Sequence, residues 1–181
     1  MKPKAAPRGA TKVAPDLTIR LKRHTDGAAS LTLTRADGSV TWQRQNGQLG
    51  TFFPPHDLTH FAVETELGFR QGFYGLVADG WEITDFASPW PKGPIPVDAM
   101  QVELIVGFFD AERRNFAHWS VEEFNAHARV FVSAGKYADK IPPPQLTEEE
   151  IARVRNTRDG LFKRWHALTA GDSIALEFVR E

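Results

Sequence analysis

No cysteine occurs in the 181 residues, and that absence removes several chemistries at once. It excludes a disulfide scaffold, a thiol nucleophile, a thiolate zinc ligand and a cysteine-held iron–sulfur cluster. A transition-metal site in this chain has only His, Asp and Glu to draw on. Long apolar runs are missing too, since none approaches the ~18 residues of a membrane span. The charged N-terminus lacks the apolar stretch of a secretory signal, so the expected location is the cytoplasm. Charge of one sign is also scarce. The 22 Lys and Arg against 23 Asp and Glu leave a formal net charge of −1, which gives no global pull toward nucleic acid or anionic membrane. There is no G-x-x-x-x-G-K-[ST] phosphate loop, no G-x-G-x-x-G fingerprint and no serine-nucleophile motif.

What remains is an ordinary globular composition, 41% hydrophobic and 25% charged, in a chain long enough to bury its own core. Residues 1–15 are Lys, Arg, Ala and Pro with almost no bulky apolar side chain, and read as a disordered basic tail. Residues 16–181 read as one α+β domain. Leu17, Ile19 and Leu21 alternate with Thr18, Arg20 and Lys22, and Leu31 and Leu33 repeat the period of two. Asp26-Gly27 and Asp37-Gly38 mark tight turns before the second strand and before Val40-Thr41-Trp42-Gln43. Ile174, Leu176 and Phe178 restore the alternation at the other end. The expectation is an antiparallel sheet of about four strands, three N-terminal and one C-terminal, packed on four or five helices.

Helical patterns cover 56–67, 70–79 and 97–112. Ser120 with Glu123 and Thr147 with Glu150 are capping boxes that open two further helices, the first running to about Tyr137. Residues 89–96 carry four prolines and form a loop or lid. Gly160 weakens the middle of the last helix and is expected to bend it.

The sharpest chemical pattern is His56-Asp57-Leu58-Thr59-His60, with Glu64 four residues further on. Residues four apart on a helix lie one above the other, so His56, His60 and Glu64 share a face and two imidazoles can reach one ion. The expected metal ligands are His56, His60 and Glu64, with Asp57 a ligand or an orienting group. Pro55 at the first helical position would place His56 inside the helix, whereas Asp57 as N-cap would leave it just outside. The aromatic cluster downstream supplies either a pocket wall or plain core. Phe53, Phe73, Tyr74 and Trp81 are the candidate ligand contacts, with Arg70 or Gln71 orienting the ligand. Glu66, Asp79, Glu82 and Asp85 are the nearest acids for a further ligand or a general base, and Glu82 and Asp57 are the catalytic candidates.

The run from Thr41 to Asp85 resembles a group of uncharacterised bacterial proteins with a phenylalanine-proline stretch before H-D-L-T-H and F-Y-G-L-x-A-x-G-W after it. That resemblance implies no activity. H-D-x-x-H is also similar to the zinc motif of a ubiquinone-biosynthesis protein family, in which a glutamate follows after eleven intervening residues; here that position is Gly72. His56-Asp57 resembles the metal-binding pair of the HD phosphohydrolases, which are all-helical, whereas His24, the upstream histidine here, ends a strand. Against the zincin helix, Asp57 stands in place of the general-base glutamate.

Two functions follow from these residues. One is a zinc-dependent hydrolase acting on a small substrate. The other is a non-enzymatic module that binds a small ligand or a protein, with structural histidines. The sequence leaves open whether a reaction occurs at all. A nucleic-acid role for the basic tail is the weaker reading. The exposed edge of a four-stranded sheet leaves room for a homodimer.

Overall fold

The computed structural model describes residues 14–88, 90–135 and 140–180. The proposed basic tail therefore lies almost wholly outside the described residues, as does Tyr137. Strands β1 (Leu17–Arg23), β2 (Ala29–Arg35) and β3 (Val40–Gln45) form an antiparallel meander, and β4 (Ser173–Phe178) joins β1 from the far end of the chain. The order is β3-β2-β1-β4, with Ile19 opposite both Leu33 and Leu176. Alternation puts Leu17, Ile19, Leu21, Leu31, Leu33 and Leu176 on one buried face. The turns close as expected: Gly27 and Gly38 take positive φ, and Asp26 and Asp37 accept the amide N–H two residues on. Asp16 accepts the amide N–H of Arg180 and pairs with its guanidinium, tying the two ends of the described chain together.

Among the described residues are five α-helices, α1 (Gln48–Leu67), α2 (Phe73–Ala78), α3 (Val97–Asn115), α4 (Val121–Ala134) and α5 (Glu148–His166), and a 3₁₀ turn at Ile83–Phe86. Helices α1, α2 and α5 pack on the dry face of the sheet, while α3 packs on α1 and α4 on α3. Both capping boxes are made, Ser120 with Glu123 and Thr147 with Glu150. Helix α5 runs without a break through Gly160. No helix among the described residues is long and apolar enough to cross a membrane.

Helix α1 starts eight residues before the expected 56, and Pro54 and Pro55 lie inside it. Neither proline can donate to the carbonyl four residues back, and such positions ordinarily cost ~3 kcal/mol each. Tertiary packing pins the first turns instead. A side chain at Gly50 would have its Cβ 2.7 Å from the Gln45 carbonyl and 3.1 Å from that of Gly27, so the helix lies against the β1–β2 turn with no room between. Both prolines are buried there. His56 is thus well inside the helix, and Asp57 is not an N-cap.

Helix α1 is sandwiched. Leu58 and Phe61 join the core under the sheet with Trp165 of α5, while Ala62 and Val63 join a second core with Val102, Ile105 and Phe109 of α3. With apolar neighbours on both sides, its polar residues Asp57, Thr59, His60 and Glu64 are buried too. Each needs a partner, because an unpaired polar group in such a place costs one or more kcal/mol.

Candidate metal centre

Those partners define the site. Helix α3 runs antiparallel to α1, and its acids at positions 103 and 110, about two turns apart, meet the two histidines in reverse order. His56 Nδ1 lies 2.8 Å from Asp110 Oδ2, and His60 Nε2 lies 3.4 Å from Glu103 Oε1. The rings of His56 and His60 are 4.7 Å apart, edge to face. One ligand atom each from His56, His60 and Glu103 fall within 4.8 Å of one another, so this group could hold a metal ion. Metal–ligand bonds of ~2.0–2.1 Å at a tetrahedral centre put ligand atoms about 3.3–3.4 Å apart. The His60–Glu103 separation already has that value.

Behind the imidazoles stand two carboxylates. Asp110 engages His56 at Nδ1, which leaves Nε2 for an ion. Glu64 Oε1 stands 3.4 Å from His60 Nδ1, an ion-pair contact too long for a made hydrogen bond. A carboxylate on the far nitrogen fixes the tautomer and raises the basicity of a metal-binding histidine.

Electrostatics follow from burial and neighbours. Burial alone would depress the His60 pKa, but the charge and close approach of Glu103, and then the Glu64 carboxylate at Nδ1, override it and hold the pKa up to about 10. Burial would raise the pKa of both Glu103 and Asp110. The His60 charge outweighs this at Glu103, the His56 hydrogen bond and charge outweigh it at Asp110, and both carboxyls are held below their ordinary values. Asp57 goes the other way. Burial pushes it up to about 6, against the opposing Gln45 Nε2 hydrogen bond at 2.9 Å and the two histidines.

The expected residues divide clearly. His56, His60, Asp57, Phe53 and Phe73 line one cavity of about 280 Å³, with Gln43, Ile83, Phe86 and Glu103. Glu64 is not in the group of three. Its carboxylate accepts the N–H groups of Tyr74 and Gly75 at the start of α2. A Cβ on Gly72 would lie 2.4 Å from the Glu64 carboxyl carbon, so the carboxylate fills the space that a side chain at position 72 would need. Tyr74 is fully buried and donates to the Asp57 carbonyl; burial, with Asp57 and Glu64 nearby, drives its pKa well above 10. Trp81 packs on Phe86 outside the cavity lining.

Glu82 is drawn away from the histidines. It pairs with Arg35 and caps the 3₁₀ turn reciprocally with Asp85. Glu66 accepts from Thr157, and Asp79 pairs with Arg180. Arg70 is exposed in a separate hollow with Asp16 and Arg180. Sequence reasoning missed Glu103 and Asp110. The available signal was two acids seven apart on a helix whose neighbouring positions 102, 104, 105, 108 and 109 are apolar. No protein-family model matches the chain, and no curated protein or solved structure matches it.

Proposed function

We propose that the protein binds a divalent metal ion, zinc by the character of its ligands, through Nε2 of His56, Nε2 of His60 and the Glu103 carboxylate, and that it hydrolyses a small substrate there. The supporting observation is the convergence of those three side chains from two helices, with Asp110 already bonded to the far nitrogen of His56. Two imidazoles and a carboxylate are a ligand set found in catalytic zinc sites, which keep a fourth position open to water or substrate. An ion of this kind lowers the pKa of bound water toward ~7 and polarises a carbonyl. The chain's own contribution is positional. Asp110 and Glu64 orient the imidazoles, Phe53, Phe73 and Phe86 wall the cavity, and Asp57 faces it with its carboxyl raised toward neutrality. There it is suited to exchange a proton with the substrate.

Metal content of wild type, His60→Ala and Glu103→Gln, purified without added metal or chelator and then incubated with zinc, tests the assignment. Near-stoichiometric zinc in the wild type alone is the expected result. Zinc retained by both variants at wild-type level would refute it. Under the non-enzymatic alternative, a chelator leaves the melting temperature unchanged, because no native-state ligand is removed.

A further inference from the structure

A second hollow, about 680 Å³, is a groove between α3 and α4. Its walls include Leu104, Phe108, Trp119 and Val130, and Val130 and Phe131 on its rim stand 66% and 50% exposed. Three observations give this groove an occupant. Glu103 lines it and also lines the histidine cavity, so one member of the candidate metal group borders both hollows. Gly107, one turn along α3, has open space where a Cβ would point. Packing does not demand glycine there, and a mid-helix glycine costs ~1 kcal/mol against alanine. With Ala111 it gives the groove a floor of minimal side chains. Arg114 closes the far end, its guanidinium making a long contact of 3.4 Å to the Asp110 carbonyl. From Glu103 to Arg114 along the stripe 103, 107, 111, 114 is about 16 Å at 1.5 Å per residue.

We infer that the α3–α4 groove seats the substrate of the metal site, and that this substrate is an extended apolar molecule with an anionic group at one end. The anion pairs with Arg114, the alkyl body lies over Gly107 and Ala111, and an ester or amide carbonyl at the other end reaches the His56–His60–Glu103 group. There water would add to the carbonyl carbon as the C–O or C–N bond breaks, leaving a carboxylic acid and an alcohol or amine. The inference rests on the metal reading for the chemistry at one end only. The groove's preference for an anionic alkyl chain stands on α3 and α4 themselves.

The test uses the monohydroxamate of dodecanedioic acid, whose length matches the stripe, beside acetohydroxamate, both titrated into zinc-loaded protein by calorimetry. Each buried methylene is worth about fourfold in affinity, so a gain of at least about fiftyfold over acetohydroxamate is expected. Gly107→Leu, whose Cβ meets nothing within 4 Å, should fill the floor and abolish the gain. Arg114→Gln should weaken binding of the carboxylate-bearing hydroxamate but not of dodecanohydroxamate, which has no distal charge. A wild-type affinity independent of chain length, or a gain that survives in Gly107→Leu, overturns the inference. Dodecanedioate displacing anilinonaphthalene sulfonate from metal-free protein separates the two readings. If the chain takes up no zinc but this displacement occurs in wild type and not in Gly107→Leu, the metal site falls and the groove stands. No displacement, or a concentration-dependent dimer that covers the groove and that Gly107→Leu disrupts, overturns the groove assignment itself.

Discussion

Replacing Glu64 separates a buried carboxylate that builds the fold from one that would bind metal. In the structure Glu64 accepts the amide of Tyr74 at 3.0 Å and that of Gly75 at 3.2 Å, with no exposure to solvent. Hydrogen bonds to a charged acceptor are worth roughly 1.5–3 kcal/mol each, and removing the acceptor strands two buried donors. Glu64→Ala should therefore cost about 4 kcal/mol, a large share of the ~5–15 kcal/mol that holds a domain together. For a chain of this size that lowers the melting temperature by about 12 °C. Glu64→Gln keeps the shape and one acceptor oxygen and should cost only about 1–2 kcal/mol. Urea denaturation gives both values, and zinc content is measured on the same samples. Because Glu64 supports His60 from behind, the Gln variant should still load zinc fully when zinc is in excess. A Glu64→Gln protein that melts like wild type but holds no zinc would refute this reasoning and make Glu64 the ligand.

Three further outcomes are expected. Asp110→Asn should weaken zinc affinity about 10–100-fold in competition with a chromophoric chelator, since it removes the charge that orients His56; unchanged affinity would count against Asp110 as a supporting group. Gly50→Ala should destabilise by about 2 kcal/mol despite alanine's better helix propensity, because the nearest atoms, the Gln45 and Gly27 carbonyls, are backbone and cannot step aside. A variant as stable as wild type in urea would mean that α1 can shift off the turn. The backbone amide of Arg180, and then its guanidinium, hold the Asp16 carboxyl below its ordinary 3.8. With the folded value below the unfolded one, this stabilisation is complete above about pH 5 and is lost as pH falls through the folded value. Asp16→Asn should be less stable than wild type by roughly 0.5–1 kcal/mol at pH 6, with the gap closing toward pH 3; a gap that widens on acidification would contradict the pairing.

Local rules carried the sheet. Period-two alternation, two Asp-Gly turns and two capping boxes each act over a few residues, and each stands in the structure where its pattern lies. The start of α1 was not legible, because Pro54-Pro55 reads as a boundary. What overrides it is the contact of Gly50 with Gln45 and Gly27, a tertiary fact without a local signature. The site was half legible for the same reason. The four-residue spacing of His56 and His60 is a property of one helix. The pairing of His56 with Asp110 spans 54 residues and depends on how α3 lies across α1. Glu64 had the right spacing but was already committed to the amides of α2, and only the glycine at position 72 hinted at that.

The order of the strands has a consequence for how the chain reaches this state. β1 is made first but sits between β2 and β4, so one of its two edges waits for the last strand; Arg20 and its partner Ser173 lie 153 residues apart. During synthesis the meander presents that edge, with its row of unpaired amides and carbonyls, to any strand nearby. Such edges recruit other chains, and pairing this distant in sequence forms slowly. The final segment thus acts as a seal. A nascent or truncated chain lacking β4 would keep the leucine-rich face of β1 and β2 and lose the strand that closes it, making it a target for chaperones and a seed for aggregation.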